Sequence, residues 1–392
     1  MTDTAPDLDR LRGAAPPRNH DARTIAALTS NPGCARRGVL DAAGVDKDAV
    51  ARELGFPAPF GQSRFAITRG NAFEAQVKAD GCAELLTLLR DGLGLDIPEV
   101  DYDDLELVAG NEGRELRHSR TRRLLARALE TGEGTLFDHP LLRLEIAGRP
   151  AYLEPDVIAF QLAGRLHVVE IKSFAVVDGQ AEPEQVAAAA RQSAVYVLAL
   201  RRLVSELGHD PGRVSHEVFL VCPENFSNRP SATPLDVRPQ LAVLERQLAR
   251  LTRVDAILAE LPGDLTFEPG EALDASVRAV DARYAPECMA GCEMALFCRD
   301  EARACGETGA LGRSVRDDLG GVGTIGTALA LADGSLTPSD DLAETAEQLR
   351  AASRLRAEAL HGRAHGALHE GTHGALHEGV HGASHGAAHG AA

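Results

Sequence analysis

The chain has 392 residues, of which 44% are hydrophobic, 25% charged and 4% aromatic, and it carries a formal net charge of −17. No apolar run approaches the roughly 20 residues that a membrane-spanning helix needs, and nothing at the N-terminus has the pattern of a secretion signal. We therefore expect a cytoplasmic globular protein that makes no membrane contact. The acidic excess is unfavourable for general nucleic-acid binding, because phosphate contacts normally come from Lys and Arg.

The first segments precede the expected globular core. Residues 1–20 are polar and contain prolines, so we expect them to be disordered. Cys34 comes just before a predicted helix. The stretch from Arg69 to Glu74 begins another helix and places Glu74 in its first turns. The helix dipole favours an acid there, so Glu74 is either a solvated capping residue or a functional carboxylate.

A strongly basic helix is predicted from residue 114 to residue 132. It contains six arginines, which are Arg114, Arg117, Arg120, Arg122, Arg123 and Arg127. Such a helix can follow a phosphate backbone, and Arg120 and Arg123 are the candidate DNA contacts. An equally good interpretation is a solvated face that pairs with the acidic stretch 101–106.

A β-hairpin is predicted next. Two β-prone runs lie between residues 157 and 171, and residues 163–164 supply a turn. Antiparallel pairing would place Asp156 beside Glu170. Because strand side chains alternate between faces, Glu170 and Lys172 share one face.

Two carboxylates and an ammonium on one sheet face are costly unless a cation joins them. Mg²⁺ or Mn²⁺ prefers carboxylate oxygens and removes that cost. Such an ion, with Lys172 beside it, could orient and acidify a water molecule for attack on a phosphodiester. The alternative is an ordinary hairpin whose charged residues face solvent.

Two long helices are predicted after the hairpin. The first runs from Gln185 to about Leu207 and places Gln192 and Tyr196 on one face, one turn apart. This pair can hydrogen-bond a phosphate or stack on a base, or it is a surface glutamine beside a half-buried tyrosine. The second helix is predicted over residues 234–261, with four leucines along the side that packs on the core.

Seven cysteines form a second signal. Five are candidate ligands of a metal centre, and these are Cys34, Cys288, Cys292, Cys298 and Cys305. In a reducing compartment, clustered thiols indicate metal ligation more than disulfides. An iron–sulphur cluster, structural Zn²⁺ and unligated buried thiols are the alternatives. Cys82 and Cys222 lie in apolar surroundings and are expected in the core.

The C-terminal part carries two repetitive features. The stretch from Leu319 to Gly323 is similar to the Gly-rich hairpin with which helix-hairpin-helix modules hold a phosphate backbone, although a plain turn is the simpler interpretation. Eight histidines recur every four residues from His361 to His389. The glycines among them oppose a helix by about 1 kcal/mol each, so we expect a flexible tail. It either chelates metal ions or is a neutral repeat expansion.

Taken in order, the polar residues resemble the motif set of the PD-(D/E)XK nuclease superfamily in its RecB-like branch. The residues that carry the resemblance are Glu74, Asp156, Glu170, Lys172, Gln192 and Tyr196. The resemblance implies an α/β restriction-endonuclease-like core, with a mixed central sheet flanked by helices and a helical iron–sulphur subdomain. It also implies that Asp156, Glu170 and the carbonyl of Ile171 bind Mg²⁺ or Mn²⁺, and that Glu74 completes this metal site. Lys172 would position the attacking water, and Gln192 and Tyr196 would contact DNA.

One cysteine before the core and three after it are similar to the arrangement in iron–sulphur members of this branch. These include the AddB nuclease domain and CRISPR-associated RecB-like exonucleases. The implied ligands of a [4Fe–4S] cluster are Cys34, Cys288, Cys292 and Cys298, with structural Zn²⁺ as the alternative cofactor. The first C-terminal pair is separated by three residues instead of the usual two, which leaves Cys305 as a substitute ligand.

These expectations define a domain plan and a function. We expect a disordered N-terminus at 1–20, a RecB-like nuclease domain with the cysteine cluster at 21–310, a helical extension at 311–360 and a disordered tail at 361–392. The expected activity is that of a metal-dependent DNA exonuclease in repair, recombination or defence. Its substrate would be single-stranded DNA or DNA with a free end, and a helicase or a repair or defence protein is a candidate partner. The alternatives are a catalytically silent DNA-binding or iron–sulphur sensing protein on the same fold, and a metal-handling protein centred on the histidine tail.

Overall fold

A computed structural model gives the architecture of the chain. It describes residues 5–28, 31, 33–58, 64–92, 101–105, 113–132, 134–146, 149–162, 165–225, 227–251 and 254–373. The chain divides into two compact units, Met1–Glu301 and Ala302–Ala392. The division falls after residue 301. The sequence had predicted a boundary after residue 310.

Helices make up most of the regular structure. They are α1 (Ala5–Arg12), α2 (Ala22–Leu28), α3 (Ala35–Ala43), α4 (Lys47–Glu53), α5 (Arg64–Val77), α6 (Ala79–Thr87), α7 (Arg114–Thr131), α8 (Pro183–Glu206), α9 (Arg238–Leu251), α10 (Val254–Glu260), α11 (Leu273–Arg278), α12 (Cys288–Gly291), α13 (Ala295–Cys305), α14 (Arg313–Asp318), α15 (Ile325–Asp333) and α16 (Ala343–His373). Among the described residues, no helix combines the length and apolar character needed to cross a membrane.

The first unit is built on a mixed sheet. The strands are β1 (Asp101–Asp104), β2 (Thr135–Asp138), β3 (Leu142–Ile146), β4 (Arg149–Leu153), β5 (Val157–Leu162), β6 (Arg165–Ile171), β7 (Glu217–Pro223) and β8 (Pro230–Asp236). Six of them form one sheet in the order β1-β2-β5-β6-β7-β8, while β3 and β4 form a separate hairpin. The pairs β1-β2 and β6-β7 are parallel, and the other neighbours in the large sheet are antiparallel. The predicted α/β class with a mixed central sheet flanked by helices is confirmed.

The alternation of apolar residues along the strands gives the sheet two buried faces. Ile158 and Val168 belong to a hydrophobic cluster that includes the apolar residues of α8. Their neighbours Val157 and Val169 belong to another cluster, which includes Phe73 from α5. Burial of each such Val or Leu side chain contributes about 1.5–3 kcal/mol, so helices are held on both faces. The site described below lies at one end of this helix-flanked sheet.

The predicted hairpin is present as β5 and β6. Val157 pairs with Val169 and Ile158 with Val168 in antiparallel register. The register shifts between Ala159 and Leu162, which marks a bulge or irregularity near the turn. The predicted turn residues, 163–164, lie outside the described part of the chain.

The N-terminal segment differs from its prediction. Residues 5–12 form α1, whose Leu8 and Leu11 side chains are buried. The carbonyl of Leu11 accepts a hydrogen bond from the backbone N–H of Phe267 at 2.7 Å. Two leucines three residues apart share one helix face, and this short apolar stripe packs on the unit. The expectation of disorder is therefore wrong for residues 5–20, and residues 1–4 lie outside the described part.

The predicted helix over residues 234–261 is also corrected. Its first residues belong to β8, where Pro234 pairs with Phe219, and the remainder forms α9 and α10. A proline is tolerated there because β8 is an edge strand, so the missing N–H need not reach a neighbouring strand. The expected burial of Leu241, Leu244 and Leu248 is confirmed.

The second unit contains α14, α15 and α16. Val322, between α14 and α15, packs with Leu331 and Ala346 in a small hydrophobic cluster. The turn before it uses Gly320 and Gly321 at φ 56° and 93°, a backbone conformation that favours glycine. A turn between two helices is thus present at the predicted place, while DNA contact by this turn stays a prediction.

The last helix enters the segment that was expected to be a flexible tail. Helix α16 ends at His373, so the expectation is wrong for residues 361–373. The histidine repeat continues a helix that has already been nucleated, and its Ala, Leu and Glu residues favour helix extension over the loss caused by the glycines. Residues 374–392, which carry the rest of the repeat, lie outside the described part.

Candidate functional site

The β5-β6 hairpin brings two carboxylates together. Because Val157 pairs with Val169, the register places Asp156 opposite Glu170. The Asp156 Oδ2 atom accepts a hydrogen bond from the N–H of Ile171 at 2.6 Å. The main chain of Ile171, whose carbonyl is a predicted metal ligand, thus contacts one of the two carboxylates.

Glu170 is buried with an incomplete set of partners. Its side chain is 0% exposed, and its Oε1 atom forms an ion pair with the ammonium of Lys172. Among the described residues, Glu170 Oε2 has no hydrogen-bond partner. The alternative interpretation, a hairpin whose charged residues face solvent, is wrong for Glu170. A buried carboxylate oxygen without a partner is unfavourable, and it is a suitable ligand for a cation.

Burial and mutual repulsion change the acidity of the pair. Burial raises the pKa of Glu170, the charge of Asp156 raises it further, and Lys172 lowers it only in part. Burial likewise raises the pKa of Asp156, with Lys172 opposing the shift and Glu74 adding to it. The fully ionised pair thus lacks sufficient positive charge from the protein. A divalent cation fits this deficit.

Glu74 joins the site from the end of α5. Since α5 begins at Arg64, Glu74 lies in its last turn, and the prediction that it lies in the first turns is wrong. The helix dipole disfavours a carboxylate there. Its Oε1 atom lies 2.6 Å from Lys78 Nζ and 3.4 Å from His139 Nε2. The hydrogen bond from His139, together with Lys78, holds the pKa of Glu74 at about 2, so this carboxylate is ionised.

Gln192 and Tyr196 lie on α8 and contact one another. Gln192 Nε2 donates a hydrogen bond to Tyr196 Oη at 3.0 Å. Burial raises the pKa of Tyr196, and the charges of Glu170 and Asp156 raise it further, which places this phenol near the carboxylates. Tyr196 is only 5% exposed. Its ring therefore has little surface on which a base could stack, while the half-buried Gln192 is the more accessible of the two.

Among the described contacts, an ion pair links the basic helix α7 to the segment just before the hairpin. Arg117 lies 2.9 Å from Glu154, two residues before Asp156. Arg122 pairs with Glu206 at the same distance, so these two arginines use partners outside the predicted acidic stretch. Arg123 is exposed. DNA contact by Arg120 and Arg123 stays a prediction.

A polar network beside Glu74 was missed by sequence reasoning. Asp138 Oδ1 lies 2.8 Å from Lys78 Nζ and 3.1 Å from His139 Nδ1, and Asp138 Oδ2 accepts a hydrogen bond from Tyr102 Oη at 2.7 Å. Hydrogen bonds with Asp138 and Glu74 raise the pKa of His139 to about 10. The spacing of four residues between Glu74 and Lys78 was the one local signal available, because such pairs meet on a helix.

The four cysteines predicted as cluster ligands form two neighbouring pairs, Cys34 with Cys298 and Cys288 with Cys292. Cys34, Cys288, Cys292 and Cys298 are free thiols in the first unit, whereas Cys305 is exposed in the second. The charge of Cys34 affects the pKa of Cys298, and that of Cys288 affects the pKa of Cys292, so the thiols lie close together in these pairs.

Each of these sulphurs has a hydrogen-bond donor. Asn31 Nδ2 donates to Cys288 at 3.2 Å, and Arg36 Nη1 donates to Cys298 at 3.3 Å. The backbone N–H of Arg283 donates to Cys34 at 3.5 Å, and that of Met294 donates to Cys292. Donors to a sulphur favour the thiolate, the form that binds iron or zinc, and here they act against burial, which favours the thiol.

Buried cations surround the same sulphurs. Burial raises the pKa of Cys292 to about 12 and that of Cys298 to about 11, while Arg37 and Arg36 respectively oppose these shifts. Both arginines are buried, and Arg36 is only 2% exposed. A metal centre with anionic ligands would be matched by this positive charge.

The spacing of the sulphurs can be compared with that of a tetrahedral zinc site. Tetrahedral Zn²⁺ with bonds of about 2.3 Å would hold its four thiolates roughly 3.8 Å apart. Among the described residues, no three cysteine sulphurs lie within 4.8 Å of one another. The four sulphurs are therefore not held in the closed tetrahedral arrangement of a zinc site, and the choice among a cluster, Zn²⁺ and unligated thiols stays a prediction.

No protein-family model matches this sequence, and no curated protein matches it. Any function must therefore be argued from the two sites themselves.

Cys82 and Cys222 take no part in either site, and their predicted burial in the core is confirmed.

Proposed function

We propose that this protein is a divalent-metal-dependent DNA nuclease with a restriction-endonuclease-like core of the RecB-like PD-(D/E)XK type. The observation that carries the proposal is the buried Glu170, whose Oε2 lacks a partner and whose neighbour Asp156 adds a second negative charge. A structural carboxylate pair would be stabilised by donors or by cations from the protein. This pair has Lys172 alone as its ion-pair partner among the described contacts and is short of positive charge.

The residues divide into ligands and a positioning group. Asp156, Glu170 and the carbonyl of Ile171 would hold Mg²⁺ or Mn²⁺, with Glu74 as the additional carboxylate. The ion, when bound, supplies Lewis-acid activation of water and neutralises charge that develops on phosphate. Lys172 keeps about a quarter of its side chain exposed, so its ammonium can donate a hydrogen bond to a water molecule beside Glu170. Hydrolysis joins that water oxygen to phosphorus and breaks the bond to the leaving oxygen.

DNA with a free end, or single-stranded DNA, is the proposed substrate. Gln192 is half-buried beside Tyr196, and α7 carries the candidate contacts Arg120 and Arg123, of which Arg123 is exposed. The rest of the chain is acidic and would repel phosphate. Such a distribution favours a narrow DNA path to the site over general coating of nucleic acid. A helicase or another repair or defence protein would supply the free strand.

A [4Fe–4S] cluster held by Cys34, Cys288, Cys292 and Cys298 is the proposed second cofactor. The hydrogen-bond donors to the sulphurs support a bound metal centre, and structural Zn²⁺ is the alternative cofactor. The chain between Cys34 and Cys298 contains the whole β5-β6 hairpin. A cluster would therefore close a loop around the nuclease core and stabilise the fold that carries the catalytic residues.

The proposal is tested with anaerobically purified protein and end-labelled DNA. Linear single-stranded, linear double-stranded and circular substrates are incubated with Mn²⁺ or with EDTA. We expect Mn²⁺-dependent shortening of linear DNA and little cleavage of circles. Lys172→Ala should lose about 100-fold or more of the rate, the usual cost of removing one electrostatic group from a reaction centre. Arg238→Ala, at an exposed arginine, is the control and should cleave normally.

Equal rates for the wild type and Lys172→Ala, or cleavage that persists in EDTA, would overturn the proposal. Intact cluster absorbance without cleavage of any substrate would favour the alternative of a catalytically silent DNA-binding or sensing protein.

A further inference from the structure

The network beside Glu74 is centred on Asp138, at the end of β2. The Asp138 side chain is 3% exposed and lies within 3.1 Å of Lys78 and His139 through Oδ1. Its Oδ2 atom accepts the hydrogen bond from Tyr102. Both oxygens of Asp138 are therefore engaged with the protein, which makes it an anchor for its neighbours.

Lys78 and His139 connect Asp138 to Glu74. Both contact the same carboxylate oxygen, Oε1, at 2.6 Å and 3.4 Å. The two donors approach from different elements, since Lys78 follows α5 and His139 follows β2. Lys78 Nζ and His139 Nε2 also lie 3.0 Å apart, so the three groups form one closed set of contacts that restricts the orientation of the Glu74 carboxylate.

The backbone of His139 ties the network to the hairpin. Its φ of 48° is in the left-handed region, which a histidine rarely adopts. In this conformation its N–H donates to the backbone carbonyl of Asp156 at 3.2 Å. One residue thus contacts Glu74 through its ring and Asp156 through its main chain. The relative position of these two carboxylates depends on it.

An alternative use of the network is a second cation site. Ligand atoms of Asp104, Asp138 and His139 lie within 4.8 Å of one another. Asp138 Oδ1 already contacts both Lys78 Nζ and His139 Nδ1, however, so two of the three ligand atoms are engaged with one another. The group is better suited to holding a side chain than to holding an ion.

We propose that Lys78, Asp138 and His139 are positioning residues that fix Glu74, relative to Asp156, as a ligand of the divalent metal. This inference rests on the proposed metal site and assigns a role to three residues outside the motif set. Such outer contacts typically change metal affinity by about 10- to 100-fold when they are removed.

Electrostatics alone predicts that the loss of Lys78 changes the metal affinity in the opposite direction. Lys78→Met removes a positive charge from the neighbourhood of the metal, and by Coulomb's law this change should tighten the binding of a divalent cation. Loss of positioning should weaken it. The direction of the change in Mn²⁺ affinity therefore distinguishes a positioning role from a simple charge effect.

The test is Mn²⁺ binding to the full-length protein without DNA, followed by the electron paramagnetic resonance signal of free Mn²⁺. The variants are Lys78→Met, His139→Asn and Tyr102→Phe, with Glu74→Gln as the variant that alters the ligand itself. Asn tolerates the left-handed backbone at position 139 but is too short to keep the ring contacts. We expect about 10- to 100-fold weaker binding for the first two variants and a smaller loss for Tyr102→Phe. Thermal unfolding in EDTA identifies any variant that is misfolded.

The outcomes separate this inference from the proposed activity. Folded Lys78→Met and His139→Asn proteins that bind Mn²⁺ as tightly as the wild type, or more tightly, would overturn it. If Lys78→Met does not fold, His139→Asn and Tyr102→Phe decide in the same way. A wild type that binds Mn²⁺ but does not cleave DNA would refute the nuclease activity, while the variant affinities would still decide the positioning role. A wild type that binds no Mn²⁺ would overturn both.

Discussion

At the scale of single residues, the two sites share one physical arrangement. Glu170 is a buried acid with too little positive charge around it, and the cysteine sulphurs have hydrogen-bond donors that neutral thiols do not require. A bound cation would supply the positive charge that Glu170 lacks, and metal-bound thiolates would use the donors to the sulphurs. Residues that are unfavourable for the stability of the empty protein are in this way suited to ligand binding.

Glu170→Gln should stabilise the metal-free protein at high pH. Because the pKa of Glu170 is raised on folding, the folded state binds more protons than the unfolded state above pH 4.5, and stability falls as pH rises through the folded pKa. Replacement by a neutral amide removes this loss. In EDTA at pH 8 we expect a gain of about 1–3 kcal/mol in the free energy of unfolding.

The gain should be smaller at pH 5, where Glu170 is already largely protonated, and added Mn²⁺ should reverse the order of stabilities. Denaturant titrations at both pH values measure this, with the exposed Glu206→Gln as the control. A gain for Glu170→Gln that is the same at pH 5 and pH 8 would contradict the assigned cause.

Arg36→Met should lower the reduction potential of the proposed cluster. Arg36 donates to Cys298 and pairs with Glu301, so its loss removes both a hydrogen bond and a positive charge from the ligand sphere. Either loss favours the oxidised cluster. Potentiometric titration followed by electron paramagnetic resonance measures the shift. Arg278→Met is a matched control, since Arg278 approaches the same Glu301 and the ring of Phe297. An equal shift in both variants would show that the sulphur contact has no role.

At the scale of elements, the strands and helices around the hairpin followed from local sequence. Two β-prone runs separated by turn residues predicted β5 and β6, and helix α8 was predicted within two residues at each end. What failed depends on contacts distant in sequence. Glu74 was placed at the wrong end of α5, since nothing local marks Arg64 as the start. The Asp138 network draws on α5, β1 and β2, which local patterns cannot place side by side.

Helix α1 is an element that the sequence did not reveal, and its packing can be tested. Leu11 is 1% exposed, so Leu11→Ala should cost about 2–5 kcal/mol through lost burial and the cavity left behind. Asp7→Ala, on the exposed side of α1, should change stability by no more than about 0.5 kcal/mol. Chemical denaturation measures both. A Leu11→Ala protein as stable as the Asp7→Ala protein would restore the expectation of a disordered N-terminus.

At the scale of the whole molecule, the proposed cluster connects residues almost at both ends of the first unit. Its loss should therefore unfold more than its immediate surroundings. Cys298→Ala should lose the absorbance near 400 nm and melt at a lower temperature than the wild type. Cys305→Ala should keep both, because Cys305 is exposed and is not one of the four sulphurs with assigned donors. Loss of the cluster in Cys305→Ala would instead make Cys305 a ligand.

The histidine repeat is independent of the proposed chemistry. Deletion of residues 361–392 should leave the cleavage rate and the cluster absorbance unchanged, because both sites lie in the first unit. Cleavage assays and visible spectra of the truncated protein check this expectation. A truncated protein that loses Mn²⁺-dependent cleavage would favour the metal-handling interpretation of the repeat.

The proposed nuclease activity depends on metal binding by the buried carboxylate pair. The most direct measurement is the Mn²⁺-dependent release of labelled nucleotides from linear single-stranded DNA by the wild type and by Glu170→Gln. Because this variant should be at least as stable as the wild type in EDTA, unfolding cannot explain a loss of activity. We expect the cleavage rate of Glu170→Gln to be at least about 100-fold lower than that of the wild type. An unchanged rate in that variant would contradict the proposal.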